Sequence, residues 1–194
     1  MATAIMSWIG NMGVIPLATF LISPTAGGSI RAIQTIVLPL VQINQILISM
    51  FVPQVARRMR TADDDTARYL AFRLIAVLTS IGFVYASAVA LAGEGLFEAL
   101  FRFEGGQITA LAITIAVYGF ALEGIRYGCN ILLYSMGRTS VVGQGQFVSM
   151  LSAIAIIPIM GHHLGLTGLI LGMAIANNIN TLYVTSRFFA PRSL

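Results

Sequence analysis

The chain has 194 residues, of which 57% are hydrophobic and only 9% charged, and its mean hydropathy is +0.87. Soluble domains carry about a quarter charged residues, so this composition excludes an ordinary water-facing globule and, with it, a soluble enzyme. The net charge is +4 and every cation is arginine; the arginines stand mostly at the ends of apolar runs, which is the pattern of membrane topology and not of a nucleic-acid-binding face.

The apolar runs predict an all-α integral membrane bundle of about six transmembrane helices, one domain over 1–194 with no room for a soluble one. In chain order the helices are expected over residues 4–23, 29–56, 70–92, 107–136, 140–160 and 164–189. The first is no signal peptide, because no basic residue precedes it and Asn11 and Pro16 interrupt it. Ser23-Pro24-Thr25-Ala26-Gly27-Gly28, Gly137-Arg138-Thr139 and Gly161-His162-His163 are expected as turns. Within 94–104, Leu96, Phe97, Leu100, Phe101 and Phe103 alternate with Glu94, Glu98, Arg102 and Glu104, which predicts a short amphipathic segment at the membrane surface.

Arg57, Arg58, Arg60, Arg68, Arg138, Arg187 and Arg192 fall on one set of connections, and the opposite set holds only Arg102. The positive-inside rule then makes both termini cytoplasmic, in a multi-pass protein of the inner (plasma) membrane. The acidic run Asp63-Asp64-Asp65 carries little weight in that rule and reads as a solvated loop and helix start.

Lipid offers a polar group no partner, so polar residues inside the apolar runs are the informative ones. In the second segment Arg31, Gln34, Gln42, Gln45 and Ser49 fall within a stripe of about 80° at 100° per residue, opposite Ile33, Ile36, Val37, Leu40, Ile43, Leu47 and Met50. Either the stripe is a helix–helix seam held by amide hydrogen bonds, or it walls a water-filled substrate path. Pro39 lies mid-segment, frees the carbonyl of Thr35 and predicts a helix kink. In the fourth segment Glu123 and Arg126, three residues apart, form an expected intramembrane ion pair, with Tyr127 and Asn130 continuing the face. That pair is either structural, helped by nearby Gly119, Gly124 and Gly128, or substrate-facing and titratable. Asn177, Asn178, Asn180 and Thr181 are expected to bond to neighbouring helices, and His162 with His163 to form a loop pair.

No metal-ligand spacing, phosphate-binding glycine loop or nucleophile motif is present, so neither metal nor cofactor is expected. The lone Cys129 can form no intrachain disulfide and reads as a packing residue.

Ser29-Ile30-Arg31-Ala32-Ile33-Gln34-Thr35, running through Pro39 and Gln45 to Val52-Pro53-Gln54-Val55-Ala56-Arg57, resembles the eighth helix of bacterial polysaccharide exporters. These belong to the multidrug/oligosaccharidyl-lipid/polysaccharide flippase superfamily. Gly93-Glu94-Gly95-Leu96-Phe97, Met136-Gly137-Arg138-Thr139 and Gly165-Leu166-Thr167-Gly168 resemble that family's segment before its tenth helix, its turn after it and the start of its last helix. The resemblance implies the second of two six-helix lobes around a cavity that moves lipid-linked sugars by alternating access. It also implies that the first two helices face the cavity, with Arg31 attracting a lipid diphosphate and Gln34, Gln42 and Gln45 bonding sugars. The chain begins at Met1 in what resembles the seventh helix, so the expectation is a half-size or fragmentary lobe. Its expected partners are membrane lipid, lipid-linked oligosaccharide and a second lobe, supplied as a homodimer or by a separately encoded chain.

Three alternatives remain open. One is a multidrug or cation-coupled antiporter lobe with Glu123 as coupling residue; another is a non-transporting membrane subunit or truncated remnant. A membrane glycosyltransferase would need Glu94, Glu98 or Glu104 as catalytic acids, which an interfacial helix explains better.

Overall fold

The computed structural model describes residues 13–59, 64–101 and 109–189. These residues form five helices: α1 Val14–Leu21, α2 Pro24–Met59, α3 Asp64–Phe101, α4 Ala110–Ser135 and α5 Thr139–Phe189. No strand occurs among the described residues. Four helical stretches, Pro24–Arg58, Phe72–Gly93, Ala110–Ser135 and Thr139–Phe189, are long and apolar enough to cross a membrane. The outward surface is greasy: Leu91 and Val84 on α3 are 89% and 72% exposed, and Ile154, Ile159 and Leu182 on α5 also face outward.

Helix α5 has 51 residues; drawn straight it would run about 76 Å, more than twice the thickness of a hydrocarbon core. It reverses instead at Gly165, whose φ of 58° and ψ of −139° suit glycine alone. The arms, 139–164 and 166–189, then lie antiparallel. The Ser149 hydroxyl donates across to the Ala176 carbonyl at 3.2 Å, and a Cβ on Gly172 would stand 3.0 Å from Ile157 Cα. The two expected helices are therefore present, but the expected turn at Gly161-His162-His163 is helical and the reversal comes at Gly165. Gly161 serves packing, since a side chain there would strike Leu169.

The stretch from Ser23 to Gly28 is likewise corrected. Ser23 caps α2, accepting the Ala26 N–H at 3.1 Å, and Pro24 opens the helix at the position where its missing N–H costs nothing. Gly27 sits inside the first turns because a Cβ there would collide with the Thr19 hydroxyl of α1. Helix α2 continues through Pro39, the position of the expected kink, and through Pro53 as unbroken helix. Carbonyls near both prolines take bonds from outside: Tyr85 donates its hydroxyl to Ile36, and Ser135 to Val52 at 3.2 Å.

Helix α3 breaks at Gly93, φ 56°. Beyond the break Phe97 is buried with Leu96 and Phe101 packed nearby, while Glu98 and Leu100 are exposed. The expected amphipathic segment is thus helical as far as Phe101; Arg102, Phe103 and Glu104 lie outside the described residues, as do both chain ends, Arg60 and Arg192. The turn at Gly137 stands as expected. Gly137 has φ 73°, Arg138 N–H reaches the Leu133 carbonyl at 2.8 Å and Gly137 N–H the Tyr134 carbonyl at 3.1 Å. This doubly bonded glycine cap ends α4 and starts α5 with no slack.

Helix α4 is the hub, packed against α2, α3 and both arms of α5. Its seam with α3 is close because glycines line it. A Cβ on Gly124 would lie 2.8 Å from Thr79 N, one on Gly128 2.9 Å from Ile75 Cα, and one on Gly82 3.0 Å from Ala121 Cα. Glycines four apart let helix backbones approach in this way.

Replacing Gly165 with Ala forces a side chain into a left-handed backbone and should lower stability by about 1–2 kcal/mol. Gly28→Ala, in ordinary helix with open space around it, should leave stability unchanged or raise it by up to about 1 kcal/mol. Thermal unfolding in lipid nanodiscs followed by circular dichroism measures both, and equal shifts would contradict the hairpin geometry.

Candidate functional site: a polar groove floored by α4

Among the four apolar stretches α4 has the lowest mean hydropathy, 1.3 against 1.8 to 2.2, and it is the most enclosed, 44% buried against 22% to 28%. The two facts share one cause: polar side chains are tolerated in an apolar surrounding where other helices screen them. One side of α4 is left uncovered by direct packing, and there a cavity of about 800 Å³ opens. Phe120, Glu123, Arg126, Tyr127, Asn130 and Tyr134 of α4 form its floor. Gln34, Val37, Leu38, Val41, Gln45 and Ile48 of α2 form one wall. The other wall is the first arm of α5, through Thr139, Ser140, Val142, Gly143 and Gln146, with Asn177 from the second arm.

The groove extends to the end of the bundle where α4 passes into α5, since Tyr134, Thr139 and Ser140 line it. The arginines gather at the same end. Arg138 reaches the Arg187 carbonyl at 3.5 Å, Ser135 bonds Val52 five residues before Arg57, and Phe72 meets Phe189 with ring centres 5.5 Å apart.

Arg126 Nη2 donates to Glu123 Oε2 within the floor. The carboxylate side chain is 4% exposed and the guanidinium side chain 13%. The guanidinium carbon also lies 4.9 Å from the Tyr127 ring centre, and the Tyr127 hydroxyl interacts with Gln45 across the groove. Arg126 Nε and Asn130 Oδ1 have no hydrogen-bond partner among the described residues. Chemically the groove offers amides, hydroxyls, aromatic faces and one internally neutralised ion pair.

The fold brings together two groups of residues that lie some 80 positions apart in sequence: Gln34 and Gln45 of the α2 stripe, and the Glu123–Arg126–Asn130 face. It does not bring in the rest of the stripe. Gln34 and Gln45 lie within about 20° of each other on α2, whereas Arg31, Gln42 and Ser49 lie about 60–80° further round the helix. Those three are exposed and do not line the groove. Neither does α1, although the resemblance implied a cavity-facing first helix.

Other sequence expectations resolve locally. Asn178 and Thr181 bond within their own helix, to Ala174 and Asn177 carbonyls at 2.8 and 3.2 Å, while Asn180 reaches Gln146 at 3.5 Å. His162 and His163 are exposed on helix, not loop, with ring centres 5.3 Å apart. No group of three or more potential metal ligands occurs among the described residues. Cys129 is buried, with Thr185 Oγ1 at 3.9 Å.

Sequence reasoning missed the α5 wall. Thr139, Gly143 and Gln146 repeat at the i, i+4, i+7 spacing of one helical face, a signal that the surrounding Val and Phe residues mask.

Comparison of the chain with models of known protein families, with curated proteins and with solved structures found no match.

Arg126→Met strands the Glu123 carboxylate and should cost about 2–3 kcal/mol, and adding Glu123→Gln should restore part of it; strictly additive losses in thermal unfolding would show that the pair contributes nothing. In a Cys129→Ala background, cysteines at 34 and 45 should react with a membrane-impermeant maleimide, and cysteines at 84 and 91 should not. Equal reactivity at all four positions would deny the groove its water.

Proposed function

We propose that the chain is a membrane-embedded transport lobe that carries the sugar portion of a lipid-linked oligosaccharide or polysaccharide precursor through the α4-floored groove by alternating access. In this proposal the apolar run 4–23, to which α1 belongs, makes the first of six crossings, and α2, α3, α4 and the two arms of α5 make the others. The arginine-rich end faces the cytoplasm, the membrane is the bacterial inner membrane, and the chain is no enzyme. A second six-helix lobe, a copy of this chain or a separately encoded one, closes the open side. The observation that carries the proposal is the convergence of Gln34, Gln45, Glu123, Arg126 and Asn130 on one groove between apolar helices. A closely packed helix seam would leave no space of about 800 Å³ there.

The resemblance to polysaccharide exporters supplies the substrate class, and the amide-rich lining is consistent with it. Arg31, on the outer edge of the stripe, is assigned no role in holding the sugar. Glu123 favours a second function, because a carboxylate 3% exposed beside a groove is also what a cation-coupled antiporter requires.

Reconstitution into proteoliposomes with a fluorescent lipid-linked oligosaccharide tests the proposal. Translocation is expected when two lobes are present, as a second copy or with a partner lobe. Gln34→Ala with Gln45→Ala, which removes two hydrogen-bonding groups, should slow it by about tenfold. No translocation with any lobe combination, or an undiminished rate in the double variant, would overturn it. Ion-driven drug efflux abolished by Glu123→Gln would establish the antiporter in its place.

A further inference from the structure

Along the floor of the groove, Phe120, Tyr127 and Tyr134 succeed one another at intervals of seven residues on α4. Seven residues are nearly two whole turns, so the rings fall almost on one line, about 10.5 Å apart along the axis. Between them stand Arg126 and Asn130, whose Nε and Oδ1 are buried with no partner among the described residues. Tyr134, the exposed end of this row, offers an apolar ring face to the C–H face of a sugar.

The charge of the groove is the second observation. Glu123 and Arg126 are the charged residues among those that line it, and they are bonded to each other. An anionic ligand lying against this floor would give up water beside a cation that Glu123 already neutralises, whereas a polyol exchanges its hydrogen bonds for those of amides and hydroxyls.

We infer that the groove takes an uncharged glycan laid along α4 over Phe120, Tyr127 and Tyr134, and that Glu123 sets this specificity by neutralising Arg126. The inference rests on the proposed sugar-carrying function and adds the class of sugar. Without the Glu123 carboxylate, Arg126 becomes a planar cation able to hold a sugar carboxylate through two bonds. The selectivity should then turn toward acidic glycans.

The test is calorimetric titration of the chain in lipid nanodiscs with two probes of equal length, neutral maltotriose and acidic trigalacturonic acid. The wild type should bind maltotriose and bind the acidic trimer at least about tenfold more weakly, and Glu123→Gln should reverse or erase that ratio. Glu123→Gln with Arg126→Gln, which removes both charges, should keep the preference for maltotriose; it also gives an answer if the single variant does not fold. Tyr134→Ala, at the exposed end of the aromatic line, should weaken maltotriose binding severalfold. Wild-type binding of the acidic trimer as tight as that of maltotriose, or an unchanged ratio in Glu123→Gln, would overturn the inference while leaving sugar carriage standing. Binding of neither probe by any form would overturn the sugar-carrying function itself.

Discussion

A polar group surrounded by hydrocarbon must find its partner within the protein, and α4 is where this chain meets that constraint. The helix carries a carboxylate, a guanidinium, an amide and two phenols on its groove side, all within 26 residues. No single neighbour could satisfy them all. Glu123 and Arg126 answer each other because a spacing of three places them on one face. The remaining groups open on a groove and not on an outer surface made of Val84, Leu91, Ile154 and Leu182. Burial of α4 at the centre and the polarity of its one uncovered face are thus two sides of a single requirement.

The glycines on the opposite faces of α4 make this possible. Gly124 and Gly128 let α3 come within backbone contact. Glu123, Arg126, Tyr127 and Asn130 are then turned away from these close seams and toward the space between α2 and α5. Small residues on one side and polar residues on the other divide the helix into a part that holds the bundle together and a part available to a ligand.

The composition and apolar runs made the helical class legible, because long stretches without charge admit few other structures. The Glu123–Arg126 pair was legible for the same reason: spacing along a helix is local. Turns were legible only where the glycine takes a left-handed backbone, as Gly137 does. Gly161 and Gly27 look alike in sequence but are small because Leu169 and Thr19 press on them, and contacts between segments leave no local mark. Of the stripe on α2, sequence could define its width but not which edge would meet α4. That depends on how Ile33, Ile36, Val37 and Leu40 seat in the core, and so Gln34 and Gln45 enter the groove while Arg31, Gln42 and Ser49 do not. The α5 wall was hidden because its polar members are few and separated by apolar ones.

The cap at Gly137 carries a structural implication. Its two backbone bonds close the last turn of α4 directly before α5 begins, and the arms of α5 pack antiparallel, so the bottom and one side of the groove follow each other in the chain without a loop. Helix α2 touches α5 sparsely and is held instead by α1 and α4. Its two prolines leave the carbonyls of Thr35 and Ser49 without their usual helical bonds, near the two ends of the groove-lining stretch. The seam between α2 and α5 is therefore the thinnest edge of the groove, and its width is set by how α2 seats on α4.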